Sequence, residues 1–169
     1  NNLFVIEDSA QGVNAKYGGN FLGTLGDIGV YSFHESKNYT CGEGGALILN
    51  HGKFIERSEI IMEKGTNRSK FFRGEIDKYT WIDLGSSWLP SEISAAFLYG
   101  QLLKMDQIKD KRKIIFDYYY ENLKELDAIG LIRMPIIPEG CSTNYHMFYI
   151  ILPSQLERDN LLKELKKKG

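Results

Sequence analysis

Three short segments in the first quarter of the chain carry side chains able to do chemistry. Glu7-Asp8-Ser9-Ala10-Gln11 follows an apolar run, Leu3–Ile6, which reads as a fully buried strand entered from Asn1-Asn2. Acids at the carboxyl end of such a strand sit where open α/β sheets bind ligands, although an acid there also serves as a plain turn cap. Ser32-Phe33-His34-Glu35-Ser36-Lys37-Asn38 closes a second strand run, Gly29–Phe33. A lysine beside an apolar strand is usually a solvated surface group. In a partly buried site it can instead present a neutral amine that condenses with a carbonyl. Gly42-Glu43-Gly44-Gly45 comes next, ahead of a third strand run, Ala46–Leu49. Its glycines permit positive φ and close backbone approach to a ligand. Their spacing is neither the dinucleotide fingerprint nor a P-loop.

The combination says more than its parts. An acid after one strand, then a serine and a lysine after another, then a glycine-rich turn, are the groups a pyridoxal 5'-phosphate enzyme needs. The lysine takes the aldehyde, the acid keeps the ring nitrogen protonated, and the hydroxyl serves the phosphate.

Those segments need a scaffold, and the composition supplies one. The chain has 169 residues, a formal charge of −1, 43% hydrophobic and 25% charged residues. A chain of this size buries roughly 70% of its unfolded surface. The balance of 21 basic and 22 acidic side chains leaves no electrostatic footprint for nucleic acid. The apolar runs are too short for a membrane span. Cys41, Cys141, His34, His51 and His146 lack metal-ligand spacing and suggest free thiols in a reducing, cytoplasmic setting.

Ile55, Ile60 and Ile61 predict a helix over Phe54–Lys64, stopped by Gly65. Thr66 to Trp88 reads as a long loop, a kind usually functional or docked on a partner. Pro90-Ser91-Glu92 starts a helix. The stripe Leu98, Leu102, Met105, Ile108, Ile115, Tyr119, Leu123 and Leu126 carries it onward, with Arg112 on the same face. From Ser91 to Leu126 it would span about 54 Å if unbroken. The charge run Lys104–Lys113 is its solvated face. Tyr145–Leu152 predicts a strand, and Glu157–Lys168 a last amphipathic helix ending in basic residues. The expected layout is an α/β layer over residues 1–90, an interdomain helix over 91–126, and the start of a small α+β unit over 127–169.

The motifs IEDSAQG, LGTLGDIGVYSFHESKNYTCGEGGAL, EKGTNRSKFFRGEIDKYTW and SEISAAFLYGQL resemble the DegT/StrS sugar-nucleotide aminotransferases of the fold-type I pyridoxal-phosphate class. SFHESKNYTCGEGG and GTNRSKFFRGEIDKYTW look most like the branch that aminates dTDP-4-keto-6-deoxyglucose to its 4-amino galactose product, with glutamate as donor, for cell-surface polysaccharides such as lipopolysaccharide and enterobacterial common antigen. The resemblance implies that Lys37 holds the cofactor aldehyde and shuttles a proton. It implies that Asp8 pairs with the pyridine nitrogen, Gln11 lies against the ring, and Ser32 binds the phosphate. His34 and Asn38 would be supporting or substrate contacts. Related dehydratases carry histidine at the lysine position, so Lys37 favours transamination. Arg68 and Arg73 would reach a pyrophosphate, against the simpler reading of a solvated basic loop.

A homodimer with a shared active site is implied too. Many relatives place an asparagine ahead of the long helix, within a GYNYR-like sequence, to reach the neighbouring subunit's phosphate. Here the sequence is Gly85-Ser86-Ser87-Trp88-Leu89, with Ser87 as the substitute donor. Family chains are more than twice this length, so the expectation is the middle-to-late portion of a two-domain enzyme. The competing expectation is a piece that keeps the fold without a working site.

Overall fold

The computed structural model describes residues 3–169, leaving Asn1 and Asn2 outside the described residues. The central sheet has three strands in the order β1 (Ile6–Asp8), β4 (Ile28–Ser32), β5 (Gly45–Leu49). β1 runs parallel to β4, with Asp8 opposite Val30, and β5 returns antiparallel. Parallel pairing aligns the carboxyl ends of β1 and β4, so Asp8 and Ser32 both finish at the same edge. The second and third strand runs stand where the sequence placed them, shifted by one residue.

The first run does not. Pairing covers Ile6–Asp8, not Leu3–Ile6, and Leu3 is 76% exposed and Ile6 66%. Continuous apolar character predicts cover on both faces. Among the described residues only β4 packs extensively on β1, and Phe4 lies against the rings of His51 and Phe54.

Glu7 organises the loop joining the second small sheet to β4. Its carboxylate accepts from the backbone N–H groups of Gly23 (2.8 Å), Leu25 (2.6 Å) and Gly26 (2.5 Å). The Gly26 amide, with the other two, holds the Glu7 pKa below the ordinary carboxylate range against the opposing effect of burial. Gly29 is required beneath this loop, because a Cβ there would sit 2.2 Å from the Gly23 carbonyl oxygen.

The second sheet is small and spans the chain. β2 (Lys16–Tyr17) pairs with β3 (Asn20–Phe21) on one side and with β6 (Cys141–Ser142) on the other. It therefore joins the two ends of the sequence.

A 3-10 turn, Gly52–Phe54, leads into α1 (Ile55–Met62), so the predicted helix is present but shorter. The expected loop from Thr66 contains α2 (Arg68–Phe72) and isolated bridges from Thr66 to Trp81 and from Glu63 to Ser87. The long helix is broken. α3 (Glu92–Leu102), capped by Ser91, ends one short turn before α4 (Met105–Ala128). Lys104 leaves the helical region (φ −112°, ψ 19°), and its N–H turns back three residues to Gln101.

The core explains the break. Val13, Phe33 and the fully buried Tyr39 form the central cluster, and Leu98, Leu102, Met105 and Ile108 pack against it from both sides of the bend. The bend keeps both helices on that cluster. The stripe's later members are less covered, with Ile115 and Tyr119 exposed.

Residues 145–152 are not a ladder strand: only Ile151 is paired, with Arg133. Apolar character favours an extended chain there, but a strand needs neighbours, and Arg133 alone is present among the described residues. α5 (Gln155–Lys168) begins where Ser154 caps it. Both cysteines are free.

Glu7→Gln should lower stability by about 1–3 kcal/mol by weakening three charge-assisted bonds. Because folding lowers the pKa of Glu7, its contribution is complete above the unfolded value and fades as pH falls through the folded one. Urea midpoints between pH 3 and 7 should therefore converge for the two proteins at the acid end and separate at neutrality.

Candidate active site

The loop from Phe33 to Gly45 carries Lys37 and is closed by its own backbone. Phe33 N–H donates to Gly44 O, and Cys41 N–H donates to Phe33 O. The glycine run is thus the end of a β4–β5 hairpin. A Cβ on Gly45 would meet the Tyr31 carbonyl oxygen at 2.8 Å.

Two polar clamps hold this loop from outside. On α3, Gln101 Oε1 accepts from Thr40 N–H at 3.1 Å, while its Nε2 donates to Thr40 O at 2.7 Å. On the far side, Asn38 Nδ2 donates to Asn144 O at 2.8 Å. Asn144 is itself buried, and its Nδ2 donates to Gln11 O (2.7 Å) and Val13 O (2.9 Å). Three remote segments therefore meet at one point: the turn after β1, the lysine loop, and the stretch after β6.

A small cleft opens at this junction, lined by Ala10, Gln11, Val13, Ser32, Lys37, Asn38, Tyr39, Asn144 and His146. Lys37 is half-buried, and its ammonium has no hydrogen-bond or ion-pair partner among the described residues. Since no buried side-chain nitrogen or oxygen is left unpartnered, that amine must open to the cleft and solvent. Ser32 Oγ accepts from His34 N–H at 3.3 Å. Asp8 uses one carboxylate oxygen for Ala10 N–H at 3.2 Å and makes no ion pair among the described residues.

The structure thus brings Gln11, Ser32, Lys37 and Asn38 together, with Asp8 at the end of the adjacent strand. The remaining expected residues lie elsewhere. His34 turns to Ser36 Oγ (2.8 Å) and Glu43 (3.6 Å). Arg68 is paired with Glu63 at 3.3 Å. Arg73 is bidentate to Glu59 (2.8 and 3.1 Å) and also meets Glu75 at 2.6 Å. These arginines are committed to carboxylates on their own loop and line neither cleft. Ser87 is exposed and bridged to Glu63.

Two cleft residues went unmarked in the sequence. Asn144 and His146 lie more than a hundred residues from Lys37, and no local spacing connects them. His146 Nδ1 lies 2.8 Å from Asn38 Oδ1. Burial, with the charges of Arg112 and Lys37, holds the His146 imidazole below its ordinary basicity. His146 and Arg112 also border a second, larger cleft of about 420 Å³ between α4 and residues 145–150, walled by Phe116, Tyr119 and Phe148.

Comparison with known proteins identifies the family of the chain. All of residues 1–169 match the sequence profile of the DegT/DnrJ/EryC1/StrS aminotransferase family, and the chain belongs to that family. It is 29% identical over 168 residues to the GDP-perosamine synthase of Escherichia coli O157:H7, covering 99% of this chain and 43% of that protein. It is 31% identical to a pleiotropic regulatory protein of Geobacillus stearothermophilus, covering 99% and 42%. The aminotransferase TlmJ of Streptoalloteichus hindustanus shares the fold with a TM-score of 0.85 at 24% identity, over 99% of this chain and 43% of that one. The chain therefore spans less than half the length of the relatives it matches.

Asn144→Ala should leave the Gln11 and Val13 carbonyls without their donor and release the turn after β1 from the segment after β6, while the bond from Asn38 Nδ2 to the backbone oxygen of residue 144 remains. A loss of about 2–4 kcal/mol is expected from unmet buried polar groups. A chemical-denaturation midpoint unchanged from the parent would show that the junction is not structural.

Proposed function

We propose that this chain carries the lysine-bearing half of a pyridoxal 5'-phosphate-dependent aminotransferase site. The nucleotide-linked substrate is a 4-keto-6-deoxy sugar, dTDP-4-keto-6-deoxyglucose in the closest reading. Glutamate serves as amino donor, in cytoplasmic assembly of cell-surface polysaccharide. The observation that carries the reading is the unpartnered Lys37 amine in a cleft with Ser32 and Gln11, beside the strand that ends in Asp8.

The donor set fits the cofactor chemically. It combines an amine with no acid to neutralise it, a carboxylate with no cation, and a hydroxyl and an amide at the same strand edge. When bound, pyridoxal phosphate supplies an electrophilic carbonyl and a protonated ring that draws electrons from the substrate carbon.

Each residue then has a defined task. Lys37 would hold the carbonyl end, and its amine would serve as the proton carrier at the carbon that changes. Asp8 would keep the ring nitrogen protonated through charge and hydrogen bonding. Ser32 donates to a phosphate oxygen. Gln11 flanks the ring, and Asn38 orients the lysine loop. Burial of that loop between Gln101 and Asn144 restrains its motion and so presets the amine.

In this reading residues 1–90 belong to the cofactor-binding part, 91–126 to the interdomain helical connection, carried by α3 and most of α4, and 127–169 to the start of the smaller unit. A homodimer completing the site is part of the same proposal. The exposed Trp81, Leu84, Trp88 and Ile93, each at least 69% exposed, offer apolar surface for such an assembly.

Treatment with pyridoxal phosphate, borohydride reduction and peptide mapping should place one pyridoxyl group on Lys37. Labelling spread over surface lysines with Lys37 unmodified would contradict the reading. In the full-length enzyme, Lys37→Ala should lower transamination by at least about 10²-fold, the low end for losing a positioned proton carrier.

A further inference from the structure

We propose that Asn38 and His146 form a positioning pair: Asn38 fixes the histidine in its Nδ1–H form, so that Nε2 stays an unprotonated acceptor in the cleft that holds the Lys37 amine. The proposal rests on the reading of Lys37 as the reactive amine and adds the control of its surroundings.

The tautomer follows from hydrogen-bond logic. Asn144 O can only accept, so the group of Asn38 that meets it at 2.8 Å must be the NH₂. The other end of the Asn38 amide, its carbonyl oxygen, therefore faces His146 Nδ1 at 2.8 Å. An oxygen accepts, so Nδ1 must carry the hydrogen. A neutral imidazole has one hydrogen, which leaves Nε2 as the acceptor.

Two further contacts hold the His146 backbone: its N–H donates to Asn144 Oδ1 at 3.1 Å, and Arg112 lies 3.5 Å from its carbonyl oxygen. Nε2 has no partner among the described residues and is not a buried unpartnered atom, so it is open to solvent, on a residue that borders both clefts.

The electrostatic surroundings give the tautomer a consequence. The titratable and charged groups facing His146 are Lys37 from the hairpin loop, Tyr39 beside it, Arg112 and Tyr119 from α4, and the adjacent Tyr145. No Asp or Glu lines either cleft. Protonating His146 would turn Nε2 from acceptor to donor and place a third cation between Lys37 and Arg112. That raises the cost of a charged imidazole, in keeping with the direction in which burial and these two cations already shift it. A neutral histidine leaves Lys37 one fewer cation in its vicinity and offers an acceptor to its ammonium.

The test reads Lys37 without the cofactor. Trace acetylation of the full chain with acetic anhydride, followed peptide by peptide from pH 5 to 9, gives the reactivity of Lys37. Nitrogen-15 shifts of the imidazole give the tautomer and titration of His146. The proposal expects an Nδ1–H signature and an inflection in Lys37 reactivity coinciding with the His146 titration. His146→Gln keeps an N–H for Asn38 Oδ1 but cannot titrate, so that inflection should vanish while the fold is retained. Asn38→Asp should move the His146 titration and the inflection together to higher pH, because a carboxylate favours the imidazolium. An Nε2–H signature, or a Lys37 profile identical in parent and His146→Gln proteins, would overturn the proposal. Absence of pyridoxyl labelling on Lys37 with these results intact would instead count against the cofactor reading alone.

Discussion

The buried amide of Asn144 is the constraint on which the arrangement depends. Its two hydrogens reach the carbonyls of Gln11 and Val13, its side-chain oxygen receives His146 N–H, and its backbone oxygen receives the Asn38 amide. A buried amide gains little net stability from each bond, but leaving its partners unmet is costly. Its side chain fixes the turn that follows Asp8 and the segment that carries His146, and its backbone oxygen holds the loop that carries Lys37 through Asn38.

Around that point, apolar packing and polar clamping divide the work. Val13 and Tyr39 line the cleft and pack with Phe33 as the core, and the bend at Lys104 lets α3 and α4 both pack on that cluster. The Tyr39 hydroxyl accepts from Asn14 Nδ2 and donates to Met105 O, both at 3.4 Å, so even the most buried ring marks where the helix turns. The resulting hydrogen bonds to backbone at Thr40 and Asn144 hold the lysine loop from opposite sides. The Lys37 amine is left free for chemistry because its neighbours, not the amine itself, satisfy the structure.

Much of this was legible in the sequence because it is local. Strand, acid, serine, lysine and glycines follow one another within a few residues, and their order survives in the structure. Glu7 shows where local reading stops: it stands beside Asp8 at the same strand end, yet its carboxylate is consumed by three backbone amides. The helix break was hidden because the apolar stripe continues through Leu102 and Met105 without a proline or glycine at the bend itself. The strand expected at 145–152 has the right composition but lacks a paired neighbour among the described residues. Asn144 and His146 act through contacts across more than a hundred residues, which no spacing rule encodes. Arg68 and Arg73 had the right chemistry for phosphate, but nearby glutamates already occupy them.

The central claim is that the lysine loop and the segment after β6 are one mechanical unit tied at Asn144. Native-state hydrogen exchange measures this directly, because the amides of Lys37 and Cys41 in the loop and of His146 in the segment are all hydrogen-bonded within the protein. The account predicts that these amides open with one shared free energy and lose protection together in Asn38→Ala, which removes both side-chain bonds between the loop and the segment. Retention of Lys37 and Cys41 protection in that variant, with only His146 exchanging faster, would contradict it.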